Sequence, residues 1–200
     1  LWNTKTILHK LEKIHSEHVR ACVVSFDGKI ALTASDDNTL VAWDCKSGNR
    51  LSSMHGHSDA VVACAISTDG DIAISGSKDT MCIVWDVKAG TRKLTLTAHE
   101  APVLSVSITG NGRYALSASE DKEMILWDLK QNGKILYRFQ NHTAAVVGCA
   151  LARQGHTAIS VGLDKTVQMW TIDCVEKEEK VSEFDSYGSG TVLGTRASMK

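Results

Sequence analysis

Tryptophan recurs along this chain at an almost constant interval. Successive tryptophans from Trp2 to Trp170 are separated by 41, 42, 42 and 43 residues. In each of the four intervals a histidine stands 28 residues before the closing tryptophan, a hydroxyl residue ten before it and an aspartate six before it. A period of roughly 20–50 residues with the same residues at the same offsets is typical of an array of repeated structural units. The four sets are His15, Thr33, Asp37 and Trp43; His57, Ser75, Asp79 and Trp85; His99, Ser117, Asp121 and Trp127; and His142, Ser160, Asp164 and Trp170.

Within one period the sequence alternates short apolar runs with turn residues. In the second period the runs are residues 60–67, 72–77, 81–87 and 93–97, and segments containing Asp, Gly or Lys separate them. Runs of this length bounded by such residues are typical of β-strands. The middle runs are apolar on both alternating faces, which indicates sheets that are covered on both sides. The sequence therefore predicts an all-β fold with almost no helix, built from stacked four-stranded sheets.

Three of the tryptophans are followed by aspartate, and one repeat histidine is preceded by glycine. These dipeptides are Trp43-Asp44, Trp85-Asp86, Trp127-Asp128 and Gly56-His57. Together with the period of about 42 residues they resemble the WD-repeat family. The resemblance covers residues 1 to about 172. It implies a β-propeller of four-stranded antiparallel blades, with four blades visible as part of a seven-bladed ring. The chain departs from the family pattern at Asn3, Ile14, Ala98, Asn141 and Thr171.

The resemblance also implies a division of the chain. It places the end of a preceding blade at residues 1–5, four repeats at residues 6–44, 48–86, 91–128 and 134–172, and a charged linker with a flexible C-terminal tail at residues 173–200. In this family the outer strand of each blade comes from the start of the following repeat. Residues 6–11 are therefore expected to complete an earlier blade, and residues 181–184 the last one. Four blades leave two apolar faces open. We expect upstream blades of the same parent chain to cover them, because the chain begins within a strand; pairing with a second copy is the alternative.

Composition and charge limit the function. A formal net charge of −1 argues against binding to nucleic acid, which normally needs a basic surface. No apolar run is long enough to cross a membrane, and the longest spans residues 60–66. None of the six cysteines forms a Cys-x-x-Cys pair, so we expect no metal and no cofactor. This cysteine usage favours a reducing compartment, and we expect a cytoplasmic location with the nucleus as the alternative.

Three of the cysteines follow the repeat. Cys22, Cys64 and Cys149 stand seven residues after the repeat histidine, where the third repeat has Val106. A position that alternates between cysteine and valine is typical of a small core residue. We therefore expect these three cysteines in the core.

The repeated serine, histidine and aspartate admit two interpretations. Ser75, His57 and Asp79 are the residue types of a hydrolase triad. The same set occurs in all four repeats at fixed spacing, with Thr33 in place of serine once, whereas an active site is built once. The family resemblance implies instead a buried hydrogen-bond chain from the tryptophan through the hydroxyl and the histidine to the aspartate. We expect these residues to be structural rather than catalytic.

The resemblance further implies a partner-binding face at the start of the inner strands. The third and fifth residues after each repeat histidine, and the residue before each repeat aspartate, are expected to project there. The residues between them, Val19, Val61, Val103 and Val146, are expected to point into the core. Alternatively, the apolar residues of this face only line the central channel. The predicted face comprises His18, Arg20, Asp36, Val62, Lys78, Pro102, Leu104, Glu120, Val147 and Leu163, together with Ala60 and Ala145.

These features predict a non-catalytic scaffold that binds other proteins or peptides, within a larger cytoplasmic complex or a multidomain signalling protein. The first alternative is a substrate receptor of a ubiquitin ligase, because some family members use an arginine three residues after the tryptophan to bind their adaptor. Here Lys46, Lys88 and Lys130 occupy that offset, and Asp173 occupies the fourth. Lysine lacks the planar donor group of arginine, which weakens this alternative. A propeller hydrolase is the distant alternative.

Overall fold

The strands of the structure lie close to the positions that the turn residues of the sequence predict. The computed structural model describes residue 7 and residues 9–11 and 14–173, and this part of the chain forms fifteen β-strands and no helix. The strands are β1 (Val19–Val24), β2 (Ile30–Ser35), β3 (Thr39–Asp44), β4 (Arg50–His55), β5 (Val61–Ile66), β6 (Ile72–Ser77), β7 (Met81–Asp86), β8 (Thr91–Thr97), β9 (Val103–Ile108), β10 (Tyr114–Ser119), β11 (Met124–Asp128), β12 (Lys134–Phe139), β13 (Val146–Leu151), β14 (Thr157–Gly162) and β15 (Val167–Thr171). The prediction of an all-β fold is confirmed. No helix that could span a membrane occurs among these residues.

Consecutive strands pair in antiparallel fashion and form four sheets, which we call blades 1 to 4. Their strand orders are β1-β2-β3-β4, β5-β6-β7-β8, β9-β10-β11-β12 and, within the described part of the chain, β13-β14-β15. The expected outer strand of blade 4 at residues 181–184 lies outside the described residues, as do residues 1–5 and 174–200. Residues 7 and 9–11 have no strand structure, and the earlier blade that residues 6–11 are predicted to complete lies outside the described residues, so this strand stays a prediction. His9 Nε2 lies 3.0 Å from the carbonyl oxygen of Lys46.

The blades pack face to face. Their inner strands, which are β1, β5, β9 and β13, lie side by side. β5 contacts both β1 and β9, and β9 contacts β13. Leu40 and Trp85 lie in the core between blades 1 and 2, Ile74 between blades 2 and 3, and Leu116 and Met124 between blades 3 and 4; all five are 0% exposed. Burial of each such side chain stabilises the fold by about 1.5–3 kcal/mol. Every residue of β10 and β11 is buried, so blade 3 is covered on both faces, as predicted.

Blades 1 and 4 each have one face against which no other sheet packs within the described residues. Val19 and Cys22 are exposed on blade 1, and Met169 is 80% exposed on blade 4. The prediction that Val19 and Cys22 belong to the core is therefore wrong here, because no sheet packs against their side of blade 1. The equivalent cysteines of blades 2 and 4, Cys64 and Cys149, do pack against the preceding blade. Burial raises the pKa of both thiols to about 12, which makes them unreactive.

Candidate functional site

Each blade contains one hydrogen-bond chain formed by its four repeated residues. In blade 2 the indole Nε1–H of Trp85 donates to Ser75 Oγ at 2.8 Å, and Ser75 Oγ lies 2.7 Å from His57 Nε2. His57 Nδ1 in turn lies 2.8 Å from Asp79 Oδ2. The corresponding distances in the other three blades are 2.7–3.0 Å. All sixteen repeated residues therefore lie in four equivalent chains.

The donors and acceptors of each chain run in one direction. The Ser75 hydroxyl accepts from the indole and donates to His57 Nε2, which leaves His57 Nδ1–H to donate to Asp79. Burial lowers the pKa of His57, which favours its neutral form. Burial raises the pKa of Asp79, but hydrogen bonds from two backbone amides and from His57 outweigh this and hold that pKa below its usual value. The pKa values of the other three repeat aspartates are lowered as well, so each chain ends on an ionised carboxylate.

This arrangement resembles a hydrolase triad, but a substrate cannot reach it. Ser75, Ser117 and Ser160 are 0% exposed. Each serine oxygen already accepts from an indole and lies against a histidine, so the hydroxyl is not available for nucleophilic attack on a bound substrate. Thr33 in blade 1 is only half-buried, because that face of blade 1 has no neighbouring sheet among the described residues. The geometry supports a structural role for these residues.

The carboxylate of each chain joins two segments at one end of its blade. In blade 2, Asp79 Oδ2 accepts from the Ser58 amide at 3.0 Å, and Asp79 Oδ1 accepts from the Met81 amide at 3.0 Å. Thr80 lies within this turn at a φ of 72°, a left-handed conformation that is rare for a β-branched residue. The same pair of amide contacts occurs in the other three blades. The segment before each inner strand and the turn between the two middle strands therefore form one rigid unit.

These units form one surface, which we call the loop face. It comprises residues 16–20, 58–62, 100–104 and 143–147, and the turns at residues 36–38, 78–80, 120–122 and 163–165. All residues of the predicted partner-binding face lie within these segments.

Every inner strand contains a β-bulge near the loop face. In blade 2, Val61 pairs with Ser77 and Ala63 pairs with Gly76, so Val62 is left without a partner residue on the neighbouring strand. The residues at the same position in the other blades are Arg20, Leu104 and Val147. A bulge redirects the inserted side chain and bends the strand. Because the inner strands lie side by side, the four bulge residues occupy equivalent positions and form a row along the loop face.

The bulge also decides which residues of the inner strand face the core. Val103 and Val106 are three residues apart, so simple alternation would place them on opposite faces, yet both pack in the cluster between blades 2 and 3. A Cβ atom on Gly76 would lie 2.7 Å from one methyl group of Val103 and 3.0 Å from one of Val106. Sequence reasoning missed the bulge, because alternation assumes an uninterrupted ladder. Val61, Val103 and Val146 are 0% exposed, which confirms the prediction that they lie in the core.

The apolar residues of the loop face differ in exposure. Leu163 is 64% exposed and Val147 is 40% exposed. Val62, Pro102 and Leu104 are half-buried. The two alanines in the predicted face offer little side-chain surface, since Ala60 is 6% exposed and Ala145 is half-buried. Among the residues of the predicted partner-binding face, accessible apolar surface is therefore concentrated on blades 2 to 4.

The charged residues of the predicted face lie mainly on blades 1 to 3. Arg20 Nε lies 2.8 Å from both carboxylate oxygens of Asp36, and His18 Nδ1 lies 3.9 Å from Asp36 Oδ2. The hydrogen bond from Arg20 holds the pKa of Asp36 below its usual value. Lys78 on blade 2 and Glu120 on blade 3 are exposed. The face therefore carries a charged edge beside its apolar part.

The lysines three residues after each tryptophan lie at the opposite end of the blades. Lys46, Lys88 and Lys130 are exposed in the turns after β3, β7 and β11, and Lys88 Nζ lies 2.7 Å from Asp71 Oδ1. Within the described residues, no group of three or more His, Cys, Asp or Glu side chains is arranged to hold a metal ion.

Comparison with known proteins agrees with this architecture. The family model described as "WD domain, G-beta repeat" matches residues 6–44, 48–86, 90–128 and 133–171. Two similar solved structures are titled "Structure of U3-55K" and "Crystal structure of RRP9 WD40 repeats"; each is 23% identical, has a TM-score of 0.75 and covers 82% of this chain. The match covers 52% and 51% of those two chains, so this chain spans about half their length. At that identity the likeness shows the fold alone. No curated protein matches the sequence.

Proposed function

Because this chain belongs to the WD-repeat family, we propose that it is a non-catalytic platform that binds other proteins or peptides through its loop face. WD repeats generally mediate protein–protein interaction, and propellers of this family are typically non-catalytic scaffolds. The observation that carries the proposal is the row of bulge residues. Three adjacent blades contribute Val62, Leu104 and Val147 to that row, next to the exposed Leu163.

Two features of this row support a binding surface over a lining of the central channel. Its apolar side chains lie beside exposed charged residues, as at interfaces where a partner inserts a central anchor and a polar rim excludes water. The hydrogen-bond chains hold the loop face rigid before any partner arrives. A partner therefore binds without the cost of ordering these loops.

We further propose that the platform works within a larger cytoplasmic complex or a multidomain signalling protein, with a nuclear location as the alternative. The five described cysteines are free thiols, which supports a reducing compartment. The uncovered apolar faces of blades 1 and 4 support contact with further blades or with a second copy of the chain.

Replacing Leu163 with aspartate is expected to abolish partner capture and to leave the melting temperature unchanged. Leu163 is 64% exposed, so a carboxylate at this position is solvated in the free protein but loses its water in a complex. Proteins retained from cell extract by the immobilised wild-type chain and by Leu163→Asp are compared by quantitative mass spectrometry. We expect a loss of about tenfold or more, which corresponds to about 1.4 kcal/mol. Leu104→Asp is expected to act in the same way.

Leu51→Asp is the matched control. Leu51 is 46% exposed on the outer strand β4, near the end opposite the loop face. This variant is expected to retain the wild-type set of captured proteins. Retention of that set by Leu163→Asp, or an equal loss with Leu51→Asp, would place the binding surface elsewhere.

A further inference from the structure

The loop face carries far more negative charge than the chain as a whole. Its eight segments contain nine carboxylates and four basic residues, a net charge of −5 with neutral histidines, whereas the whole chain has a net charge of −1. The carboxylates are Glu17, Asp36, Asp37, Asp59, Asp79, Glu100, Glu120, Asp121 and Asp164, and the basic residues are Arg20, Lys78, Lys122 and Lys165.

Four of these carboxylates are fixed by the fold. Asp37, Asp79, Asp121 and Asp164 end the four hydrogen-bond chains, and each accepts hydrogen bonds from two backbone amides as well as from its histidine. They stay ionised at neutral pH, because their pKa values are lowered. The network that holds the loops together therefore also gives the loop face one immobile negative charge per blade.

The compensating positive charge lies on a different surface. The outer strands β4, β8 and β12 carry five basic residues and no acidic residue. Only one of them, Arg138, pairs with a loop-side acid of its own blade, with its guanidinium 2.7 Å from Glu123. Basic side chains on outer strands also protect a free sheet edge from pairing with other chains. The charges of the two surfaces nearly cancel in the net charge of the chain, but the surfaces are separated in space.

We propose that the loop face selects a basic partner segment, in which lysine or arginine side chains flank one bulky apolar side chain. The inference rests on the proposed function and names the chemistry of its partner. The apolar side chain packs on the row formed by Val62, Leu104 and Val147, beside Leu163. The basic side chains contact the exposed carboxylates Asp59, Glu100 and Glu120 of blades 2 and 3.

The electrostatic field of the loop face determines which kind of partner it attracts. A net charge of −5 attracts a cationic segment and speeds its encounter, whereas it repels an acidic segment or a nucleic-acid backbone. Exposed ion pairs contribute specificity and salt dependence rather than most of the affinity. The apolar contact is therefore needed for binding, and the charges decide which apolar segments bind.

Three synthetic fifteen-residue peptides test this inference on the whole 200-residue chain. The first has a central leucine flanked by six lysines and arginines, the second has glutamate at those six positions, and the third keeps the basic residues but has alanine at the centre. Binding is measured by fluorescence anisotropy at low and at high salt, with a single-stranded RNA of similar length as a fourth probe. We expect only the first peptide to bind well, with an affinity that falls roughly tenfold at high salt.

Charge-removing variants locate the contact. Glu100→Gln combined with Glu120→Gln is expected to weaken binding of the first peptide by about two- to fivefold at low salt. Asp173→Asn, which removes an exposed charge at the opposite end of blade 4, is expected to leave it unchanged. Leu163→Asp is expected to abolish binding of the leucine-centred peptide.

Tighter binding of the acidic peptide or of RNA, or equal weakening by Asp173→Asn, would overturn the inference. So would failure of the first peptide to bind. If the peptide experiment fails in one of these ways but Leu163→Asp still captures fewer proteins from extract than the wild type, the proposed function is retained. Only the basic partner is then rejected. If capture is also unaffected, both are rejected.

Discussion

Replacing Trp85 with alanine is expected to lower the free energy of unfolding by about 3–5 kcal/mol. Trp85 is 0% exposed in the core between blades 1 and 2, and its indole N–H donates to Ser75 Oγ at 2.8 Å. The substitution leaves a large cavity and deprives the buried hydroxyl of its donor. Urea unfolding followed by circular dichroism measures the change.

Trp170→Ala is the matched control for this substitution. Trp170 makes the equivalent hydrogen bond to Ser160 at 3.0 Å, but it is only half-buried on blade 4. Trp170→Ala is expected to lower the free energy of unfolding by at most about half as much as Trp85→Ala, because less apolar surface returns to water. If Trp85→Ala does not fold, Trp85→Phe, which keeps an aromatic ring and removes the N–H, is measured instead. Equal costs at positions 85 and 170 would contradict the stacking of the blades.

Replacing Asp79 with alanine is expected to lower the free energy of unfolding by about 1–3 kcal/mol. The change removes the acceptor of His57 Nδ1 at 2.8 Å and of the amides of Ser58 and Met81, both at 3.0 Å. It also removes the contacts that hold Thr80 at its φ of 72°. Thermal and urea unfolding of the variant and the wild type give the difference.

Asp59→Ala provides the control for Asp79→Ala. Asp59 carries the same charge on the same face, but its side chain is exposed and, within the described part of the chain, accepts a hydrogen bond from the next amide, that of Ala60. Its replacement is expected to change the stability by about 0.5 kcal/mol or less. A small effect at both positions would show that the hydrogen-bond chain does not stabilise the fold.

The repeat spacing predicted four equivalent structural units, and the resemblance to the WD-repeat family implied the blades and the partners in each hydrogen-bond chain. The offsets of 28, ten and six residues before tryptophan are fixed, and a repeated set at fixed offsets occupies equivalent positions in equivalent structural units. The turn residues then bounded the strands, as the agreement at β5 to β8 shows.

The bulge could not be predicted from the same pattern. Alternation along β9 does not show that Leu104 is the inserted residue, because the position of the bulge depends on how β9 pairs with β10. Val103 pairs with Ser119 and Ser105 pairs with Ala118, which leaves Leu104 without a partner residue. That pairing depends on two strands at once. A feature of one sequence segment cannot reveal it.

Two further differences between the sequence predictions and the structure have other physical causes. Val19 and Cys22 occupy core positions of the repeat, but a repeat position is buried only when a neighbouring blade covers it. The chain-wide charge of −1 describes neither the loop face nor the outer strands, because it averages two surfaces of opposite sign. Assigning charge to surfaces requires knowing which segments meet at the same end of the blades.

The most direct test of the loop face as a binding surface is site-specific photo-crosslinking in cells that express the protein. A photoreactive phenylalanine derivative replaces Leu163 on the loop face, 64% exposed, or Leu51 on β4, 46% exposed. After irradiation, covalent adducts are identified by mass spectrometry. If the loop face binds partner proteins, position 163 gives discrete protein adducts and position 51 gives none of these. The same adducts from both positions, or adducts from position 51 alone, would contradict binding at the loop face.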